Sequence, residues 1–177
     1  MADFPILSLL IFLPLAGAGF ILTISGDDDV GARNARRVAL WTSVVTFVLS
    51  LFLWVNFDNS TAAFQFEERL DWIPAYNISY HLGVDGISML FVLLTTLLAP
   101  ICVLASWESI QTRVKEYMIA FLILETMMVG MFSALDIVIF YIFFEAVLIP
   151  MFLIIGAWGG ERRGYASHQL VFYTLAW

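Results

Sequence analysis

The chain has 177 residues, of which 62% are hydrophobic and 13% are charged. A soluble domain is normally about half apolar and about a quarter charged, so this composition excludes an ordinary water-soluble protein and predicts a polytopic membrane protein. The net charge of −7 says little about partners, because acidic and basic residues lie in separate loops. A single cysteine, Cys102, excludes a disulfide within the chain and an iron–sulfur cluster with four cysteine ligands.

Five apolar runs are each long enough to cross the hydrocarbon core, which takes about 20 helical residues. They predict spans at Phe4–Ile24, Val38–Phe57, Ile87–Trp107, Tyr117–Leu135 and Ile137–Trp158. The last two spans meet at Asp136, which suits a tight turn and can cap the helix that follows. A sixth run begins near His168 and covers about half of the hydrocarbon thickness by Trp177, so we expect a fragment that stops inside a membrane helix.

The outer loop between the second and third spans, residues 58–84, alternates between apolar and polar side chains on both sides of Pro74. The alternation runs through residues 64–67 before the proline and through residues 77–82 after it. Two such runs around a proline turn predict a β-hairpin on the membrane surface. Trp72 and the neighbouring tyrosines suit the interfacial zone.

The basic residues predict the orientation of the chain. Seven lie in loops that share one side of the membrane, and one lies on the other side. The seven are Arg33, Arg36, Arg37, Arg113, Lys115, Arg162 and Arg163, and the single outer one is Arg69. Because basic residues concentrate in cytoplasmic loops, we expect the N-terminus outside and loops 27–37, 108–116 and 159–165 inside.

Glu145 is the one charged residue between Ile137 and Trp158. An ionised carboxylate at that depth costs at least about 2.5 kcal/mol, and intramembrane acids are functional by default. The sequence therefore predicts a group that gains and loses a proton. The alternative is a neutral carboxyl group that is hydrogen-bonded to a neighbouring helix.

Three other residues are candidates to support Glu145. Tyr141 lies one turn earlier on the same helix face, and Pro150 frees a backbone carbonyl that can hold water. Glu125 is the second acid within a span, about 8 Å away in depth, and serves either as a proton relay or as a structural residue. Cys102 is expected to be a buried, packed thiol.

Two stretches carry a resemblance to a known family. They are "YHLGVDGISMLFVLLTT" and "EYMIAFLILETMMVGMFSALDIVIFYIFFEAVLIPMFLIIGAWG". From about Phe64 onward the sequence resembles the proton-pumping subunit M of bacterial NADH:quinone oxidoreductase, whose mitochondrial counterpart is subunit 4 of respiratory complex I. The pattern D-x-x-x-F-Y-x-F-F-E-x-x-L-I-P-M, residues 136–151, is its sharpest part.

The resemblance implies an all-α, antiporter-like helical bundle with five complete spans and a truncated sixth. Residues 1–57 are then the first two spans, 58–84 the periplasmic hairpin loop, and 85–177 the start of the proton-translocating domain. It also implies that Glu145 is the family's essential glutamate, which works with a lysine on a later helix. The only lysine here is Lys115, in an inner loop, so we expect that the chain cannot pump protons alone.

The resemblance also implies where the chemistry of the whole assembly lies. The chain would be a non-redox subunit of a proton-translocating enzyme and would bind no cofactor and no metal. NADH, FMN, iron–sulfur clusters and quinone are expected on other subunits. Its partners would be other membrane-arm subunits, above all neighbouring antiporter-like ones, and the lipid bilayer, with no nucleic acid.

The expected location is the bacterial inner membrane, with the mitochondrial inner membrane as the alternative. Two other functions stay open at this point: a subunit of a cation/proton antiporter from the same superfamily, and a purely structural membrane subunit.

The orientation can be tested by cysteine labelling in sealed vesicles. In a variant with Cys102→Ala and Asn34→Cys, we expect an impermeant maleimide to react only from the cytoplasmic side, because position 34 lies among three arginines. Labelling of position 34 only from outside would overturn the predicted topology.

Overall fold

The structure, a computed structural model, describes residues 4–24 and 29–176. This part of the chain forms six α-helices and one β-hairpin. In chain order they are α1 (Ile6–Thr23), α2 (Asp29–Val55), β1 (Gln65–Ile73), β2 (Ile78–Val84), α3 (Gly86–Ser109), α4 (Val114–Ser133), α5 (Ile137–Trp158) and α6 (Arg163–Leu175). Helices α1 to α5 are long and apolar enough to cross a membrane. The predicted polytopic helical architecture with a small hairpin is therefore confirmed.

The helix ends differ most from the prediction on the side with the basic residues. Helix α2 begins at Asp29, nine residues before the predicted start of its span, and Arg33, Arg36 and Arg37 are helical and not part of a loop. Hydropathy marks only the membrane-embedded part of a helix, whereas the backbone ladder continues into the headgroup region. Asp27, Asp28 and Trp177 lie outside the described residues.

Helix α4 is the centre of the bundle, because it packs against α1, α2, α3 and α5. Two clusters of buried apolar residues hold these helices together. The cluster nearer the hairpin includes Leu7, Leu10, Leu53, Leu82 and Val92. The cluster nearer the basic residues includes Ile21, Ala35, Val103, Met118 and Leu122. A buried hydroxyl pair, Ser50 and Thr96, joins α2 to α3 with an oxygen–oxygen distance of 2.7 Å.

The hairpin forms in residues 65–84, as predicted, with its strands antiparallel and joined by a 3₁₀ turn at Pro74–Tyr76. The register pairs Leu70 with Tyr80 and Ile73 with Ile78. The simple alternation predicted for residues 64–67 is interrupted, because Phe66 has φ of 55° at an irregularity in the ladder. Such bulges insert an extra residue and twist the strand locally.

The hairpin is joined to the start of α1 by the carboxylate of Glu68. It accepts hydrogen bonds from the backbone N–H groups of Leu7, at 2.7 Å, and Ser8, at 3.2 Å. The hydroxyl of Ser8 also donates to Glu68 and lies 3.0 Å from the Tyr80 hydroxyl. A distant acid thus satisfies N–H groups that the first helical turn leaves without a partner.

Helices α4 and α5 approach closely at Gly130. A Cβ atom at this position would lie 2.5 Å from Cε1 of the Phe143 ring. Small residues at such contacts let helix backbones come together inside a membrane. The contact lies nearer the hairpin than either intramembrane acid and joins the two helices that carry them, so it helps to set how those helices pack.

A Gly130→Ala variant tests this packing. We expect it to destabilise the fold by about 1–3 kcal/mol, because the added methyl group overlaps an aromatic ring that is packed between two helices. Gly19→Ala, on α1 where a Cβ meets nothing within 4 Å, is the matched control. Thermal unfolding in detergent should show a lower melting temperature for Gly130→Ala alone; equal melting temperatures would contradict the proposed contact.

Candidate functional site

Glu145 lies on α5, and its side chain is half-buried. It lines a cavity of about 500 Å³ between α5 and α6. The other lining side chains are apolar apart from that of His168, and they include Leu148, Phe152 and Phe172. The predicted intramembrane carboxylate therefore faces an open space and is not packed into the interior of the bundle.

Tyr141 interacts with Glu145, as their spacing of one helical turn predicts. Its side chain is exposed on the surface of this chain. Pro150, the second supporting candidate, is buried within α5, and the helix continues through it from Ile137 to Trp158. A proline at this position cannot donate to the carbonyl of Ala146, which leaves a backbone acceptor next to Glu145.

His168 also lines this cavity, although the sequence did not predict that it lies near Glu145. Its ring packs edge-on against Phe152 with a centroid distance of 5.5 Å. Its Nδ1 lies 2.7 Å from the carbonyl oxygen of Gly164. Because a carbonyl can only accept, Nδ1 carries the hydrogen, and in the neutral ring Nε2 remains an acceptor. No local sequence signal links it to Glu145, since the two residues belong to different helices.

Glu125 is the most deeply buried acid in the described part of the chain, with 3% of its surface exposed. Neither carboxylate oxygen has a hydrogen-bond partner among the described residues. It lines a second cavity, of about 300 Å³, between α3 and α4, together with Thr95 and Cys102. An unsatisfied buried carboxyl group at a cavity is a place where water or a further polar group is required.

Cys102 was expected to be buried, and this expectation is wrong. The thiol is exposed on the surface of α3 and lines the Glu125 cavity. Hydropathy identifies a residue that avoids water, but within a membrane helix it does not distinguish the side packed on other helices from the side that faces outward.

The two acids lie at more similar depths than the sequence indicated. Glu125 follows the start of α4 by eleven residues, and Glu145 precedes the end of α5 by thirteen. At 1.5 Å per residue these positions differ by about 3 Å, instead of the expected 8 Å, because α4 begins three residues earlier than predicted. They nevertheless line separate cavities, one on each side of the α4–α5 pair.

The turn between α4 and α5 is held by the hairpin. The Leu135 N–H donates to the His81 carbonyl at 2.9 Å. One oxygen of Asp136 accepts from the N–H groups of Val138, at 2.8 Å, and Ile139, at 3.4 Å, so the predicted helix cap is confirmed. The other oxygen accepts from the Ser79 N–H at 3.2 Å. These bonds, the one from Ser79 first, hold the pKa of Asp136 below its ordinary value of 3.8.

The opposite end of α5 is held by aromatic and basic residues. The Trp158 indole N–H donates to the Thr112 carbonyl at 2.8 Å, and its ring packs edge-on against Tyr117. Arg163 donates to the Ala157 carbonyl at 2.9 Å. Both ends of the helix that carries Glu145 are therefore anchored to neighbouring elements.

Comparison with known proteins decides the family. A sequence model described as "NADH-ubiquinone oxidoreductase chain 4, amino terminus" matches residues 32–134. The chain belongs to this family. A second model, "NADH:quinone oxidoreductase/Mrp antiporter, TM", matches residues 134–176, which include Glu145.

Individual relatives agree with this assignment. The chain is 53% identical to NADH-quinone oxidoreductase subunit M of Rhodobacter capsulatus over 171 residues, which is 96% of this chain and 33% of that protein. It is 50% identical to NADH-ubiquinone oxidoreductase chain 4 of Marchantia polymorpha, over 96% of this chain and 34% of the relative. The chain therefore spans about a third of the length of these relatives.

A solved structure is also similar. A chain of respiratory complex I from Thermus thermophilus, determined with bound NADH, superimposes with a TM-score of 0.77 at 26% identity, covering 96% of this chain and 33% of the other. The antiporter-like membrane fold that the sequence predicted is thus confirmed.

The link between Asp136 and the hairpin can be tested by stability. We expect Asp136→Ala to lower the melting temperature at neutral pH, because the start of α5 and the Ser79 N–H both lose an acceptor. Since the folded-state pKa is lowered, this stabilisation is complete above about pH 4 and disappears as the pH falls through the folded-state value. Wild type and variant should therefore converge in acid.

The control for this experiment is Asp71→Ala, which removes an exposed hairpin carboxylate 3.9 Å from Arg69. Its melting temperature should match that of the wild type at each pH. A difference between wild type and Asp136→Ala that is independent of pH would show that the charge of Asp136 does not contribute.

Proposed function

We propose that this chain forms part of the membrane arm of a proton-translocating NADH:quinone oxidoreductase, in which Glu145 is a proton-loading group. The observation that carries the proposal is the position of Glu145: a carboxylate on a membrane helix that faces a cavity of about 500 Å³ and interacts with a tyrosine hydroxyl. Family membership supports the choice of this reaction.

The physical basis of proton loading is electrostatic. An ionised carboxylate inside the membrane is unfavourable unless a positive charge or water stabilises it. A cation a few ångströms away favours the ionised form, and its withdrawal favours proton uptake. Movement of a cation on another helix or subunit, driven by electron transfer elsewhere, would then make Glu145 bind and release a proton in turn.

Glu125 is the candidate relay in this scheme. Its carboxyl group lies at nearly the depth of Glu145, although the two groups line separate cavities. Proton exchange between them needs water or polar groups that cross the packed α4–α5 contact. We therefore assign Glu125 a secondary role, as a proton-binding group on the α3 side of the bundle.

The other parts of the proposal concern the assembly. NADH, FMN, iron–sulfur clusters and quinone would be bound by other subunits, and the chain would contact neighbouring antiporter-like subunits in the membrane. The location would be a bacterial plasma membrane, with the mitochondrial inner membrane as the alternative. A bacterial subunit M and a chain 4 relative are about equally similar to this chain, at 53% and 50% identity.

The proposal is tested by Glu145→Gln in the protein within its native membrane. The substitution keeps the shape of the side chain and removes the titrating group, so NADH-driven proton uptake by inverted vesicles should fall by roughly tenfold or more. Glu125→Gln should cause a smaller decrease, and Glu161→Gln, in the exposed segment after α5, should cause none. Near-normal pumping in Glu145→Gln would instead favour the purely structural function.

A second measurement separates this function from that of a stand-alone antiporter. In vesicles without NADH, an imposed sodium gradient should move no protons above the lipid leak. Sodium-driven proton movement that depends on Glu145 would favour the antiporter function. The family model that matches residues 134–176 covers Mrp antiporters as well as NADH:quinone oxidoreductases.

A further inference from the structure

A third cavity, of about 450 Å³, lies at the end of the bundle opposite the hairpin. Three arginines of α2 line it, and the segment between α3 and α4 forms the opposite wall. The polar and aromatic residues that line the cavity are Asp29, Arg33, Arg36, Arg37, Trp107 and Gln111. The cavity is separate from those of Glu145 and Glu125 and has no place in the proton-transfer scheme.

Arg36 is anchored in this cavity, and one of its buried donors has no acceptor among the described residues. Its Nη2 donates to the Ile110 carbonyl at 2.6 Å and lies 3.3 Å from Oε1 of Gln111. Its guanidinium carbon lies 5.9 Å from the centre of the Trp107 ring. Its Nε is buried and has no acceptor among the described residues. A buried N–H of a charged group without an acceptor is costly, so this donor needs an acceptor other than the described residues.

Among the described residues that line the cavity, basic side chains outnumber acidic ones. Within residues 4–24 and 29–176, neither Arg33, Arg36 nor Arg37 forms an ion pair with a carboxylate. Asp29 is the one carboxylate that lines the cavity. Three guanidinium groups, at spacings that place them on one face of α2, therefore attract an anion.

The cavity lies at the depth of lipid headgroups. Helix α2 has 27 residues and is about 40 Å long, whereas the hydrocarbon core is about 30 Å thick. The arginine end of the helix therefore extends into the headgroup region. The wall of the cavity also contains Trp107, a residue type that favours this zone, and apolar Val114, which suits the first carbons of an acyl chain.

We propose that this cavity binds the phosphate group of an anionic phospholipid. Arginine presents paired N–H donors that match two phosphate oxygens, and the exposed side chains of Arg33 and Arg37 line the cavity. The proposed ligand is a lipid and not a free phosphate, because the lining of the cavity is partly apolar and the helices around it are embedded in the bilayer. On the orientation predicted from the basic residues, the lipid belongs to the inner leaflet.

Native mass spectrometry of the full chain in mild detergent tests the proposal. Titration with phosphatidylglycerol should give one tight adduct, and phosphatidylcholine should bind at least about tenfold more weakly. The double variant Arg33→Gln/Arg37→Gln keeps the contacts of Arg36 with the α3–α4 segment. It should lower the affinity for phosphatidylglycerol by about thirtyfold, at about 1 kcal/mol for each arginine, without changing that for phosphatidylcholine.

Arg162→Gln is the matched control, because Arg162 is an exposed arginine of the segment between α5 and α6 that does not line this cavity. It should leave the affinity unchanged. Equal binding of the two lipids, or an unchanged affinity in the double variant, would overturn the proposal. Complete displacement of the lipid by millimolar inorganic phosphate would assign the site to a free phosphate, and so would overturn the assignment to a lipid.

Discussion

The hydrogen bond between the Leu135 N–H and the His81 carbonyl fixes the turn on which the arrangement of both intramembrane acids depends. With Asp136 bound to Ser79, it attaches the α4–α5 turn to strand β2. Because the turn is short, α4 and α5 must run side by side in opposite directions. Glu125 and Glu145 then lie within about one helical turn of each other in depth, each on a different side of the helix pair.

Separation of the two acids has an electrostatic consequence. Two carboxylates that shared one cavity would repel each other and would not both ionise. Glu125 and Glu145 instead line separate cavities. Gly130 packs directly against Phe143 nearer the hairpin than either acid, and this contact leaves no space for a larger side chain between α4 and α5 there.

The two ends of the bundle are stabilised by different chemistry. On the hairpin side, carboxylates accept from backbone N–H groups: Glu68 at the start of α1, Asp85 at α3 and Asp136 at α5. On the opposite side, arginines and tryptophans bind backbone carbonyls and one another's side chains, as Arg36 and Trp158 do.

The sequence by itself determined the membrane class, the number of spans, the hairpin, the cap at Asp136 and the pairing of Tyr141 with Glu145. These features depend on contacts between residues close in the chain or on the length of an apolar run, and both can be read locally. The tertiary structure alone decided that Cys102 faces outward and that His168 lines the cavity of Glu145. It also decided that Glu125 lines a cavity between α3 and α4, and that three arginines of α2 line a cavity of their own. Those facts depend on which side of each helix meets a neighbour, and in a membrane helix that is apolar on all sides the sequence pattern does not distinguish one side from another.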